Sequence, residues 1–190
     1  MHRPWKAVRL ETARLLLRPP LPEDAPAVAE LLTDPEVMRF LGGEVVPEQD
    51  VGAVVEKWRG RWEHNSMGPF LIERLEDGRF VGRAGILVWD VRTWTHTTFA
   101  DAGPYAQPEL GWALASAHWG NGYATEAAQA VREWARGEGG VRRLVSVIAL
   151  DNVKSQGVAR RLGASPVETV SLFDTVVAAV WLHPESSQLS

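Results

Sequence analysis

Gly120 and Gly122 are the residues of this chain best suited to do chemistry with bare backbone. They stand one residue apart in Trp119-Gly120-Asn121-Gly122-Tyr123-Ala124-Thr125-Glu126-Ala127, between a strand-like run, Glu109 to Ala115, and an amphipathic helix. Two glycines at this spacing let the chain turn tightly and bring its N–H groups close to a ligand. The helix that follows aims its unsatisfied N–H groups and positive dipole end at the same spot. A strand, a backbone cup and a helix N-terminus in a row form a site for phosphate groups.

Three kinds of phosphate ligand compete for such a cup. A nucleoside-triphosphate loop needs Gly-Lys-Ser/Thr, which this stretch does not supply. A dinucleotide site needs G-x-G-x-x-G and an acid at the end of the next strand. Gly120 and Gly122 fit and Asp151 ends the next strand, but Thr125 stands in place of the third glycine, and the motif lies past mid-chain. The third ligand is coenzyme A.

The elements that must position this cup read clearly in places. Arg14 to Arg18 is a short strand ended by Pro19-Pro20, and Pro22-Glu23-Asp24 starts a helix with Val28, Leu31 and Leu32 on its apolar side. A second helix begins near Pro47, with Val51, Val54, Val55, Trp58 and Trp62 at helical spacing. Phe70 to Leu75 and Phe80 to Trp89 read as strands joined by an Asp77-Gly78 turn. Asp90 to Pro108 is long for a hairpin connection, which suits a functional loop, an extended hairpin or a dimer contact. After the cup, Ala124, Ala127, Ala128, Val131, Trp134 and Ala135 make a buried helical stripe, and Gly137 to Gly140 stops it. Leu144 to Leu150 is a buried strand. Asp151-Asn152 caps a short helix that turns Val158, Ala159 and Leu162 inward, and Val176 to Leu182 is the final strand. The order β-α-α-β-β-β-α-β-α-β-β gives a mixed sheet with helices on both faces. The expectation is one domain over residues 1–190, folded over about 10–183, with a loose tail at 184–190.

Composition narrows the function. With 45% hydrophobic and 23% charged residues, the chain is an ordinary globular one. A net charge of −4 and scattered Lys and Arg argue against nucleic acid. The same charge suits a cationic substrate or simple solubility. Nine Trp imply core or cleft walls. The absence of Cys removes disulfides, thiolate metal sites and a Cys nucleophile, and the five His are far apart in sequence, so no metal is expected. The first eight residues carry no apolar signal core and no run reaches transmembrane length, so the expected location is cytoplasmic with no membrane partner.

Further motifs fall in order around the cup: Leu10-Glu11-Thr12-x-Arg14-Leu15-x-Leu17-Arg18 at the start, Glu109-Leu110-Gly111-Trp112 before the loop, Ala124-Thr125-Glu126-Ala127 after it, then Asp151-Asn152-x-x-Ser155 and Leu162-Gly163. With them the chain resembles the GNAT N-acetyltransferases, specifically the branch of the ribosomal-protein N-terminal acetyltransferases. Trp119 departs from that family's Arg or Gln at the first loop position. The resemblance implies an α/β fold (mixed α+β), with a mixed, mostly antiparallel sheet flanked by helices. It also implies acetyl-CoA as co-substrate and a primary amine, on a small molecule or a peptide N-terminus, as acceptor. The backbone of Gly120, Asn121, Gly122, Tyr123, Ala124 and Thr125 would hold the pyrophosphate, Trp112 and Leu114 would pair with the pantetheine arm, and Asn152 would contact that arm from the far side or serve as a plain helix cap.

Without Cys, direct attack by the amine is the economical route. The Tyr that many members place seven residues after the Asn is Ala159 here, so Ser155 is the hydroxyl available to the leaving sulfur, unless it merely helps cap its helix. Glu109 is the candidate base, against the alternative of a solvated or ion-paired carboxylate. Asp90 and Asp101 can bind a cationic acceptor, and the exposed aromatics Trp94, Phe99 and Tyr105 suit a homodimer as well as a substrate. Other acyl donors, other acceptors (aminoglycoside, polyamine, free amino acid) and an inactive CoA-binding sensor stay open. The first two helices, residues 90–108 and the segment 172–175 are expected to set the acceptor.

Overall fold

The computed structural model describes residues 5–172 and 176–185. Two short strands, β1 (Leu10–Glu11) and β2 (Leu15–Arg18), lead into α1 (Ala25–Leu32), α2 (Pro35–Met38) and α3 (Val51–Asn65). A hairpin follows, β3 (Pro69–Arg74) and β4 (Phe80–Asp90), then β5 (Thr95–His96), α4 (Phe99–Ala102) and β6 (Ala106–Leu114). The second half alternates α5 (Tyr123–Gly137), β7 (Val145–Ala149) and α6 (Val153–Arg161), and ends in β8 (Ser165–Leu172) and β9 (Val176–Leu182). Apart from the two-residue strands and single-turn helices, this is the order read from the sequence. Asp34-Pro35 does end α1, but Asp34 then accepts a hydrogen bond from the Glu36 N–H and starts α2.

The strands form one sheet in the order β1-β2-β3-β4-β6-β7-β9-β8, with β5 paired to β4. Every neighbouring pair is antiparallel except β6 and β7. Helices cover both faces. On one face, Val28, Leu31, Val51, Val55 and Trp58 of α1 and α3 pack with Leu71, Phe80 and Ala113. On the other, the α5 stripe of Tyr123, Ala127, Ala128, Val131, Trp134 and Ala135 packs on Phe70, Ile72, Ala84, Ile86, Leu110 and Leu114. Trp62, at the far end of α3, stands edge-on to Phe70 with ring centroids 4.7 Å apart and joins this second core.

The decisive irregularity lies between β6 and β7. β4 and β6 pair continuously from Gly82↔Leu114 to Asp90↔Ala106. β6 and β7 meet at one register pair, Glu109↔Val145, and then part. Backbone groups freed by such a divergence must find other partners. The Val147 N–H donates to Glu109 Oε1 at 3.3 Å, and the Leu110 carbonyl accepts from Ser146 Oγ at 2.6 Å. Side chains thus close what the ladder leaves open, and the splay is built in.

The long connection after β4 is ordered by its own hydrogen bonds. Two expectations for it are corrected. Trp94 and Phe99 are half-buried against neighbouring cores, Trp94 beside Trp89 and Phe99 on the α5 side, because β5 and α4 fold the loop back onto the sheet. Tyr105 is exposed at 47% and lies under the Arg92 guanidinium. Of the expected tail, residues 186–190 fall outside the described residues, as do residues 173–175 of the expected acceptor segment. No helix among the described residues is long and apolar enough to cross a membrane.

Candidate active site

Gly120 and Gly122 adopt left-handed φ values of +81° and +80°. A Cβ at Gly120 would meet nothing within 4 Å, so the glycine is required by its φ and not by crowding. Gly122 caps α5 without any side-chain hydrogen bond, so the first amides of the helix face outward unclaimed by a cap. The loop is stiff nonetheless. Asn121 Nδ2 donates to the carbonyls of His118 and Trp119, and Trp119 Nε1 donates to the Leu114 carbonyl at 2.9 Å. A clamp holds the helix start from the other side. Glu126 accepts from Thr12 Oγ1 at 2.6 Å and pairs with Arg14 at 2.6 Å, while Arg14 Nη1 donates to the Asn121 carbonyl. Burial would raise the Glu126 pKa, but these hydrogen bonds outweigh it and hold the carboxyl below its ordinary range. The cavity along this loop has a volume of about 870 Å³ and is lined by residues 118–125 together with Asn152, Lys154, Ser155 and Arg161.

A second cavity, about 610 Å³, lies on the α1–α3 side. The two share Phe40, Leu41, Trp112, Asn152 and Ser155, so they meet where β6 and β7 part. At this seam Asn152 Oδ1 accepts from the Ser155 N–H at 3.1 Å and caps α6. The cap uses the backbone of Ser155, which leaves its hydroxyl out of the cap, and the residue lies on the wall common to both cavities.

Glu109 stands in the floor of the second cavity and is 6% exposed. Trp89 Nε1 donates to its Oε2 at 2.5 Å, and the Val147 N–H donates to Oε1. Burial drives its pKa up, opposed by these two hydrogen bonds and by the charges of Arg83 and Arg61. A carboxylate has about four lone-pair sites, so two remain for an incoming donor. Arg83 lines the same cavity with its guanidinium 5.4 Å over the Trp58 ring, and His96 lies against Trp89 with ring centroids 3.9 Å apart. Burial and the neighbouring Arg61, Arg83 and Lys57 hold the imidazole of His96 far below its ordinary pKa.

The arrangement is a strand pair opened beside a backbone cup, with a hydroxyl at the seam and a raised carboxyl beyond it. The family model of the acetyltransferase (GNAT) domain matches residues 14–165, most of the chain. The chain belongs to the GNAT acetyltransferase family. A solved acetyltransferase from Agrobacterium tumefaciens is 28% identical, with a TM-score of 0.75 over 97% of this chain and 99% of its own. The uncharacterised N-acetyltransferase YnaD of Bacillus subtilis is 27% identical over 82% of each chain. RimL, a ribosomal alpha-N-protein acetyltransferase solved in complex with coenzyme A, has the same fold at 16% identity, with a TM-score of 0.74 over 93% of this chain and 97% of its own. The chain is therefore an acyltransferase of the GNAT type.

In this GNAT acetyltransferase the sequence-predicted residues converge. Residues 120–125, Trp112, Leu114, Asn152 and Ser155 line the first cavity, and Glu109 lines the second. Leu114 is the partial exception in its assigned role, because its carbonyl is taken by Trp119. That bond also explains the departure at position 119, where an indole pins the loop to the strand end. Glu109 is buried and forms no ion pair among the described residues; its partners are an indole and a backbone amide. The two acids assigned to a cationic acceptor are committed elsewhere. Asp90 is held by Arg92, and the Asp101 carboxylate accepts from Thr98 Oγ1, the side chain that caps α4. Among the described residues, no group of three or more His, Cys, Asp or Glu could hold a metal ion. Sequence reasoning missed Arg14, Lys154, Arg61, Arg83 and His96. For Lys154 a signal existed: a cation in the first turn of α6 opposes the helix dipole, and here its Nζ lies 4.0 Å from the Trp119 ring centroid, on the cavity wall.

Proposed function

We propose that this chain transfers the acetyl group of acetyl-CoA directly to a primary amine, of a small molecule or of a peptide N-terminus. The observation that carries the reading is the single β6–β7 pair, Glu109↔Val145, beyond which the two cavities join at Trp112, Asn152 and Ser155. The residues fit the donor. The cup of Gly120 to Thr125 offers unclaimed amides and a helix N-terminus for a pyrophosphate, with Lys154 and Arg161 adding charge. The open edge of β6 at Trp112 offers backbone to an amide-rich arm, and Asn152 has its Nδ2 free once Oδ1 is spent on the cap.

Acetyl-CoA supplies an acyl carbon activated as a thioester. Glu109 accepts a proton from the bound ammonium, and burial tunes its pKa toward that task. The neutral nitrogen forms its bond to the acyl carbon as the carbon–sulfur bond breaks. Ser155 Oγ hydrogen-bonds the departing sulfur, which leaves with one proton, so the products are the amide and free CoA. The experiment is an amine screen that follows CoA release, with calorimetry of CoA binding alongside. Turnover with at least one amine is expected. CoA binding without turnover on any amine would leave a binding module, and no binding at millimolar CoA would refute the reading.

A further inference from the structure

The second cavity holds a charge arrangement that the reaction itself does not require. Two carboxylates line it, and both are engaged. Asp151 pairs with Arg39 at 3.5 Å, and Glu109 accepts from Trp89 and Val147. Its cations are not balanced in the same way. Arg83 forms no ion pair among the described residues, and its Nε is buried with no hydrogen-bond partner. Arg61 of α3 faces the same group of residues, and its like charge, with burial, works against the charge on Arg83. Among the described residues, Glu109 is the one carboxylate whose field reaches Arg83, and it makes no ion pair with it; an enclosed guanidinium with no ion-pair partner is costly, and a bound anion would lower that cost.

The spacing places this cation and the base around one point. A Cβ built on Gly111 would stand 3.8 Å from Glu109 Oε1 and 4.0 Å from Arg83 Nη1, with Leu87 at 3.9 Å. The two charged groups therefore flank one space, floored by a residue with no side chain. They are not bonded to each other. A ligand with an ammonium toward Glu109 and an anion toward Arg83 would fill that space with both ends satisfied, and the planar guanidinium matches a carboxylate in two-point geometry.

We infer that the acceptor is an amine that carries a carboxylate a few bonds from its nitrogen, and that Arg83 selects it. The free carboxylate of an amino acid and an acidic residue at a peptide N-terminus share this chemistry. The reaction is the acetyl transfer proposed above, on which the inference rests: the nitrogen of the amino-carboxylate gains the acetyl carbon, CoA leaves as the thiol, and the carboxylate is unchanged. A polyamine or aminoglycoside would bring further positive charge toward Arg83 and Arg61, and is disfavoured.

The test uses glycine, β-alanine and the dipeptide Asp-Ala against glycinamide, β-alaninamide and putrescine. Each is assayed for CoA release, and each is titrated into the CoA-saturated protein, where no transfer occurs. The carboxylate probes are expected to exceed the amides and putrescine by roughly 10²-fold in kcat/KM and to bind more tightly. Arg83→Gln should erase that preference, and Arg83→Lys should restore part of it. Gly111→Ala, which adds a methyl between the two charges at ordinary contact distances, should weaken acceptor binding while CoA affinity holds; it serves equally if Arg83→Gln fails to fold. Equal or better use of the amides or putrescine, or a preference that survives Arg83→Gln, overturns the inference and leaves the transfer reading standing. Arg83-dependent binding of carboxylate probes with no CoA release from any amine refutes the transfer reading and sustains only the selection of an amino-carboxylate ligand by Arg83.

Discussion

On the loop side of the seam, the groups that face the cavity are largely backbone. The cup itself comes from one run, residues 118–125, stiffened by Asn121, Trp119 and the Thr12–Arg14–Glu126 clamp, and Asn152, Lys154, Ser155 and Arg161 complete the wall. On the far side the groups are side chains from separate elements: Arg83 from β4, His96 from β5 and Glu109 from β6, with Arg61 of α3 close by. A backbone site is tolerant of sequence around its glycines and suits a ligand that does not vary. A side-chain site changes character with one substitution. On the proposed reading, donor recognition is a property of local chain geometry, and acceptor recognition a property of how the fold places its charges.

The largest expected effect tests the side-chain half. Glu109→Gln should lower kcat/KM by roughly 10²- to 10⁴-fold, the usual scale for a positioned base. Because burial raises the Glu109 pKa, the wild-type kcat/KM should climb with pH through a step above the ordinary carboxylate range, and the variant should lack that step. Stability runs the opposite way. The folded chain holds this proton more tightly than the unfolded one, so the contribution of Glu109 is greatest below the unfolded pKa and is lost as pH rises through the folded one. A variant that keeps both the rate and the pH step would leave Glu109 with only its structural task of bridging the splay to Val147.

Next comes the seam. Ser155→Ala should lower kcat by roughly 10²-fold with little change in CoA affinity. The capping bond to Asn152 uses the Ser155 amide, so the variant keeps it, and stability should change by no more than about 0.5 kcal/mol. Unchanged kcat would hand protonation of the leaving sulfur to water.

The backbone half is tested by Gly122→Asn beside Gly122→Val. At φ +80° a β-branched residue is strained, whereas Asn tolerates the left-handed region. Gly122→Asn should therefore stay folded, as read by its Tm, yet lose roughly tenfold in CoA affinity, because its Cβ would stand 3.5 Å from Arg14 Nη2 and its side chain would disturb the Arg14–Asn121 contact that holds the cup. A folded Asn variant with normal CoA affinity would make this loop a turn and not a cradle.

These halves were not equally legible in the sequence. Gly120, Gly122 and the α5 stripe lie within one short run, and glycine spacing plus helical period suffices to read them. Asn152 and Ser155 were reachable because a helix cap has its own signature. Of the far half only Glu109 was reachable, from its place on the strand before the loop; Arg61, Arg83 and His96 are distant from it in sequence and are joined to it only by the pairing of β4 with β5 and β6 and by the packing of α3. The net charge of −4 suits a cationic acceptor or simple solubility, and it does not report the local field, to which Arg61 and Arg83 contribute positive charge beside Glu109. The loop aromatics misled for a related reason: whether Trp94 and Phe99 are exposed depends on how the connection folds back, which no local pattern states.

The smallest effect lies beneath the acceptor half and leaves catalysis alone. His183 is buried, and its Nε2 lies 2.9 Å from Ser146 Oγ, the hydroxyl that closes the Leu110 carbonyl at the splay. Burial, with Arg132 and Arg136 nearby, pushes the His183 pKa down to about 4 from an ordinary 6.5. Between those values the unfolded chain binds the proton and the folded chain does not. Stability therefore rises with pH across this window, is fully present above about 6.5 and is lost as pH falls toward 4. The loss attributable to His183 is on the order of 1–3 kcal/mol. His96 titrates in the same direction, so the comparison must be with His183→Gln, which retains a donor for Ser146 and cannot be protonated. Urea midpoints from pH 7.5 to 4.5 should fall less steeply for the variant. Parallel slopes would mean that His183 takes up its proton without opening the core, and that the seam above it tolerates a charge beneath Ser146.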